Sequence, residues 1–206
     1  GILHRGQLHV LALFDKPDAL DGPFFEETIY LTPSRLSVVD QQQIADCTQA
    51  AVAALGLTEG AIHAEVRLSA SGPIMIEVNP RSIGGQCSRS LHFIDNVSLE
   101  EIIIRQALDC DYRPPLADIR PSGVMMIPVP AAGTLLEVRG VQRAEAVAGI
   151  EAVNISSRVG QKLIPLPEGS VYLGFLFARA PTLDAVELAL RESHNQLEFL
   201  IDPELD

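Results

Sequence analysis

Alternation of apolar and polar positions divides the chain into elements. Leu8 to Asp15 ("LHVLALFD") and Phe24 to Leu31 ("FFEETIYL") read as strands. Between them "KPDALDGP" carries Pro and Asp-Gly turn signals, so the two strands are expected to pair as a hairpin with a long tip. From Asp40 to Leu55, Ile44, Cys47, Ala51 and Leu55 recur at helical spacing, and the run stops at Gly56. Two further strands, "AIHAEVRLS" (Ala61 to Ser69) and "IMIEVN" (Ile74 to Asn79), are separated by a short turn. A polar loop follows from Pro80 to about Asn96, and Ser98 with Glu101 forms a capping box ahead of a helix reaching about Leu108.

The texture then changes. "DCDYRPPLADIRPSG", from Asp109 to Gly123, has three prolines and no apolar periodicity, which places a boundary near residues 110 to 121 and divides the chain into 1–112 and 113–206. Beyond it, "GVMMIPV", "TLLEVRG", "EAVNISS" and "VYLGFLFARA" read as short strands. A helical piece near Gln142 to Val147 lies among them, and Pro181 and Thr182 introduce a final helix. The expected class is α+β, with antiparallel sheets and helices in the first part and a small β-rich second part.

The central strand pair carries the unusual pattern. Alternation in "AIHAEVRLS" sends His63, Glu65 and Arg67 to one face and Ile62, Ala64, Val66 and Leu68 to the other. On the return strand Ile74, Ile76 and Val78 form the apolar set, with Met75, Glu77 and Asn79 opposite. Matching apolar to apolar predicts pairing of Leu68 with Ile74, Val66 with Ile76 and Ala64 with Val78. Glu65 then stands across from Glu77 and His63 across from Asn79. Opposed carboxylates destabilise a sheet unless a cation or a shared proton lies between them. Three readings stay open on patterning alone: a solvated polar face, a divalent-metal site built on hard oxygen ligands, and an acid/base carboxylate pair. His63 is placed outside the metal shell, since a lone histidine is most often packed or hydrogen-bonded.

Pro80 ends the ladder, and "RSIGGQCSR" supplies Arg81, Arg89 and the flexible Gly84-Gly85 pair, whose backbone amides suit a phosphate or carboxylate. Cys87 lies in this loop. With three cysteines and no CxxC spacing, a disulfide framework and a thiolate zinc site are both disfavoured, and buried reduced thiols are expected. A net charge of −12 leaves little basis for a nucleic-acid-binding face. No apolar run approaches a membrane span, and the first ten residues lack a signal peptide's apolar region, so a cytoplasmic protein is expected.

"HAEVRL" followed by "IMIEVNPR", with twelve positions from Glu65 to Glu77, resembles the C-terminal lobe of ATP-grasp enzymes, the ATP-dependent carboxylate-amine ligases and their carboxylase relatives. The stretch from Gly6 through "EVNPRSIGGQCSRSL" is most similar to the L-amino acid ligase branch. The tail from Val171 is similar to the small C-terminal domain of those ligases and of biotin carboxylase. The resemblance implies an ATP-grasp C-terminal lobe followed by that small domain, and amide formation through an acyl phosphate.

It also implies ATP and two Mg²⁺ ions, with Mn²⁺ as an alternative. Glu65, Glu77 and Asn79 would be the metal ligands and Arg81 the catalytic cation. Gly84, Gly85 and Arg89 would lie against substrate, and His63 would face the same cleft. The expected partners are a carboxylate, an amine and the family's N-terminal ATP-grasp lobe. A homodimer is compatible with this, and neither nucleic acid nor a membrane is expected. The family's glycine-rich phosphate loop and phosphate-binding lysine have no match in these residues, so the chain alone is expected to be inactive. Two rival expectations are a biotin carboxylase-like enzyme and a catalytically silent binding or assembly module.

Overall fold

The computed structural model describes residues 1–18, 28–93, 96–108 and 120–203. They form an α+β architecture with antiparallel sheets, in two compact units. One unit lies within residues 1–14 and 33–119, the other within 15–32 and 120–206.

In the first unit, β1 (Ile2–His4) and β2 (Gln7–His9) pair through a two-residue turn in which Arg5 and Gly6 both have positive φ, the form that matches strand twist. β4 (Gly60–Ala61) completes that sheet on the other side of β1. α1 (Val38–Ala54) starts where the Ser37 hydroxyl accepts from the Asp40 amide at 3.1 Å. Its buried positions are Ile44, Thr48 and Val52, one stripe at i, i+4 and i+8. This differs from the expected stripe: Leu55 is largely exposed, and Thr48 is accommodated because its hydroxyl donates to the Ile44 carbonyl at 2.8 Å.

β5 (His63–Ser69) and β6 (Gly72–Asn79) form a separate two-stranded ladder. Leu3, Val52 and Ile62 are buried together, with Leu8, Leu57, Ala64 and Val78 packed against them. That cluster seats the apolar side of the ladder on α1. A second cluster joins Ile2, Leu11 and Phe93 to Leu99 and Ile102 of α2 (Leu99–Ala107), whose Ser98 cap accepts from the Glu101 amide.

In the second unit, β3 (Ile29–Thr32), β7 (Ser122–Ile127), β11 (Gly174–Arg179) and β9 (Ile150–Ile155) form one sheet in the order β3-β7-β11-β9. A second sheet runs β10-β8-β12, from β10 (Lys162–Leu163), β8 (Gly133–Arg139) and β12 (Glu198–Asp202). α4 (Leu183–Asn195) lies against β3, β7 and β11, while α3 (Val141–Glu145) lies against β9. The core joins Ile29, Leu31, Met125, Ile127, Leu135, Leu176, Val186 and Leu190. Gly140 caps α3 at φ 84°, and a Cβ there would stand 1.8 Å from the Gln196 carbonyl oxygen, so both conformation and space demand glycine.

Among the described residues the expected hairpin of Leu8–Asp15 with Phe24–Leu31 does not form. β2 ends at His9 and pairs with β1, while β3 pairs with β7, and an isolated bridge between Asp15 and Leu31 links the two stretches. The reason is burial: all four residues of β3 are buried, which an edge position in a sheet covered by α4 satisfies and an exposed two-stranded ribbon does not. The tip of that hairpin, and most of the boundary segment near 110–121, lie outside the described residues.

Asp18 accepts from Arg191 at 2.6 Å and from the Thr28 hydroxyl, while Arg191 also holds Glu187 at 2.8 Å. Burial pushes the Asp18 carboxyl upward, but the bonds from Thr28 and Arg191 outweigh it and hold the group below its ordinary 3.8. A carboxylate depressed on folding stabilises above the unfolded value and loses that contribution as pH falls through the folded one. Asp18→Asn is therefore expected to lower stability at pH 7 by about 1 kcal/mol, a small figure because the pair is partly solvent-screened. Urea midpoints measured against pH should converge for the two proteins once the pH drops well below 3.8.

Candidate active site

The hairpin β5–β6 fixes the site by register. Glu65 pairs with Glu77, Ala64 with Val78 and His63 with Asn79, as the alternation predicts. Below Glu65 the predicted register fails. Val66 pairs with Met75 and Arg67 with Ile74, so Ile76 is an extra residue between two regular ladders, a β-bulge. The bulge moves Met75 to the side of Val66 and Ile74 to the side of Arg67. Ile74 and Ile76 are accordingly exposed, at 50% and 59%. Periodicity could not reveal this, since Ile74 and Ile76 fit an unbroken alternation equally well.

Above the bulge, three side chains converge. His63, Glu65 and Glu77 each offer a ligand atom within 4.8 Å of the other two, the group of His, Cys, Asp or Glu that meets this closely among the described residues. His63 Nε2 stands 3.9 Å from Glu65 Oε1, and His63 Nδ1 stands 3.9 Å from Glu77 Oε1. The environment is graded: the side chain of His63 is 12% exposed, that of Glu65 22% and that of Glu77 46%. Asn79 donates its Nδ2 to Glu77 Oε1 at 2.8 Å, which orients that carboxylate.

Two anionic groups opposed on one face, with an amide beside them, form an oxygen-rich donor set that fits a hard divalent cation. His63, expected outside this group, lies within it. The signal was its position two residues before Glu65, which alternation puts on the same side of the strand.

The following loop is built tightly. The Arg81 amide donates to the Asn79 carbonyl at 2.9 Å, and the Arg81 guanidinium returns to the Ser82 carbonyl at 2.9 Å, passing close to Gly84. Gly85 and Gln86 are both left-handed, with φ near 58° and 53°, and lead into a 3-10 turn over Cys87–Ser90. Arg89 sits on that turn with its guanidinium donating to Gln86 Oε1 at 3.2 Å. Cys87 is buried, its sulfur 3.8 Å from the Gly85 carbonyl oxygen, consistent with a packed thiol. Neither Cys47 nor Cys87 is in a disulfide, and Cys110 lies outside the described residues. No helix among the described residues is long and apolar enough to cross a membrane.

Residues 2–90 match the ATP-grasp domain, and residues 125–202 match the L-amino acid ligase C-terminal domain 2. Over residues 2–90 the chain therefore resembles ATP-grasp enzymes. The L-amino acid ligase of Bacillus licheniformis superposes on 98% of this chain with a TM-score of 0.83 and 27% identity. Phosphoribosylglycinamide synthetase from Anaerococcus prevotii superposes on 97% with a TM-score of 0.77 and 12% identity. The biotin carboxylase domain of Hydrogenobacter thermophilus 2-oxoglutarate carboxylase, in complex with MgADP and bicarbonate, does so with a TM-score of 0.64 and 17% identity. These last two share the fold. The uncharacterized protein y4rH of Sinorhizobium fredii is 25% identical over 171 residues. The chain spans 50% of the Bacillus licheniformis ligase and 36% of the Sinorhizobium fredii protein.

The bulge separates two substitutions to serine, at Ile76 and Val78, that alternation would treat alike. Ile76→Ser is expected to change stability by less than about 0.5 kcal/mol, as an exposed position away from the core. Val78→Ser, which packs against Leu3, Val52 and Ile62, is expected to cost about 2 kcal/mol. Denaturant midpoints of the two variants measure the difference.

Proposed function

We propose that this chain supplies the metal-holding wall of an ATP-dependent ligase that joins a carboxylate to an amine through an acyl phosphate. The observation that carries this is the in-register opposition of Glu65 and Glu77, with Asn79 beside them, inside the segment that matches the ATP-grasp domain. Glu65, Glu77 and the Asn79 amide oxygen hold the divalent ions. Mg²⁺ bound there neutralises charge between a triphosphate and a substrate carboxylate, which would otherwise repel.

The chain's own groups account for the rest. The β5–β6 ladder holds both carboxylates at fixed separation, so the cation site costs little reorganisation on binding. Arg81, directly after the strand and released from its bond to the Ser82 carbonyl, places a positive guanidinium against the transferring phosphoryl group. Gly84 and Gly85 bring backbone against the carboxylate substrate, and Arg89 adds a second cation on the 3-10 turn. His63 faces the same side as the carboxylates.

A carboxylate oxygen is a poor leaving group, and phosphorylation turns it into one an amine displaces. The likeness to the Bacillus licheniformis ligase, in both identity and superposition, supports amide formation between amino acids over carboxylation of the biotin carboxylase kind. The chain spans half of that ligase, so nucleotide turnover requires groups contributed by a further lobe, and residues 1–206 alone bind nucleotide weakly.

The test is phosphate release by the full-length protein with Mg-ATP and pairs of L-amino acids. Release should depend on both amino acids, and Glu77→Gln should reduce kcat/KM by at least about a hundredfold, the scale on which groups stabilising transition-state charge act. Mg²⁺-dependent nucleotide binding left unchanged by Glu77→Gln would show the metal assignment to be wrong. Phosphate release that needs bicarbonate in place of the amine would favour the carboxylase reading.

A further inference from the structure

Resting on that reading, the arrangement of His63 points one step further. Oxygen-only donor sets suit Mg²⁺, whereas an imidazole nitrogen among them shifts preference toward Mn²⁺ and its later neighbours. His63 is the first residue of the same strand as Glu65, paired with Asn79 in the ladder, and its side chain is 12% exposed. Its two nitrogens stand 3.9 Å from one oxygen of each opposed carboxylate.

That separation is longer than an N–H···O hydrogen bond. One nitrogen of His63 and one oxygen of each carboxylate all lie within 4.8 Å of one another. Around a cation with bonds of roughly 2.1 Å, donors in adjacent positions lie about 3.0 Å apart and donors in opposite positions about 4.2 Å apart, a spacing these side chains reach by small rotations. Asn79 pairs with His63 across the ladder and ties its amide to Glu77, so the carboxylate nearest His63 Nδ1 is held in orientation by a neighbour.

We propose that His63 contributes an imidazole nitrogen to a divalent cation shared with Glu65 and Glu77, and that the site thereby selects Mn²⁺ over Mg²⁺. A hydrogen bond at the non-ligating ring nitrogen would fix the tautomer and raise the basicity of the ligating one.

The experiment is Mn²⁺ binding by the full-length protein in the presence of ADP, followed by pulsed electron paramagnetic resonance and by calorimetric titration. With isotopically labelled histidine, the wild-type complex should show coupling between the Mn²⁺ electron spin and a histidine nitrogen, and His63→Gln should abolish it. The same substitution should weaken Mn²⁺ binding by about tenfold and Mg²⁺ binding by less than about threefold. His63→Asn serves as a second variant, with thermal melts confirming that both fold.

A wild-type Mn²⁺ complex without histidine coupling, or coupling that survives both substitutions, overturns the proposal. So does equal weakening of the two ions. These outcomes leave the carboxylate site standing if Glu65→Gln and Glu77→Gln still abolish cation binding. Cation binding indifferent to those two substitutions would overturn the broader reading as well.

Discussion

The contact of Ala64 and Val78 with the buried cluster of Leu3, Val52 and Ile62 is the constraint on which the site rests. A strand has two faces, and whichever set of residues is pressed onto α1 leaves the other set on the opposite side. With Ala64 and Val78 packed there, His63, Glu65, Glu77 and Asn79 have no choice of direction. Repulsion between the two glutamates works against the ladder, and it is borne by apolar packing on the far face. The chemistry and the hydrophobic core are thus two sides of one ribbon.

That coupling explains why much of the site was legible in the sequence. Parity follows from alternation alone, so Glu65 opposite Glu77 and His63 opposite Asn79 could be read without coordinates. Helix starts were equally legible where a side chain caps a backbone amide, as Ser98 does for α2 and Thr182 for α4. The bulge at Ile76 was not, because an inserted apolar residue among apolar neighbours leaves no trace in periodicity. The partner of β3 was not legible either. Adjacent strands in sequence usually pair, and only complete burial of Ile29 to Thr32 hints at a place in a covered sheet whose partner lies far along the chain. His63 shows a further limit: its side of the strand was clear, but its approach to both carboxylates depends on side-chain conformation.

The domain match and the geometry support each other at different levels. Resemblance to the ATP-grasp domain over residues 2–90 establishes the setting, and the fold shared with relatives at 12% and 17% identity shows how widely that setting is used. Within it, chemistry is decided by a few side chains on β5, β6 and the loop that Pro80 begins. The Arg81 guanidinium, turned back to the Ser82 carbonyl, and the left-handed Gly85-Gln86 step give that loop a defined shape of its own.

β3 carries a consequence for how such proteins are inherited. The stretch from 15 to 32 leaves the first unit, supplies an edge strand to the sheet of the second, and returns at Pro33. A gene cut between residues 108 and 120 would therefore part the second unit from one of the four strands of its larger sheet. The two units cannot be exchanged between lineages as separate cassettes by a single crossover, and the second unit should travel with the ATP-grasp segment through descent.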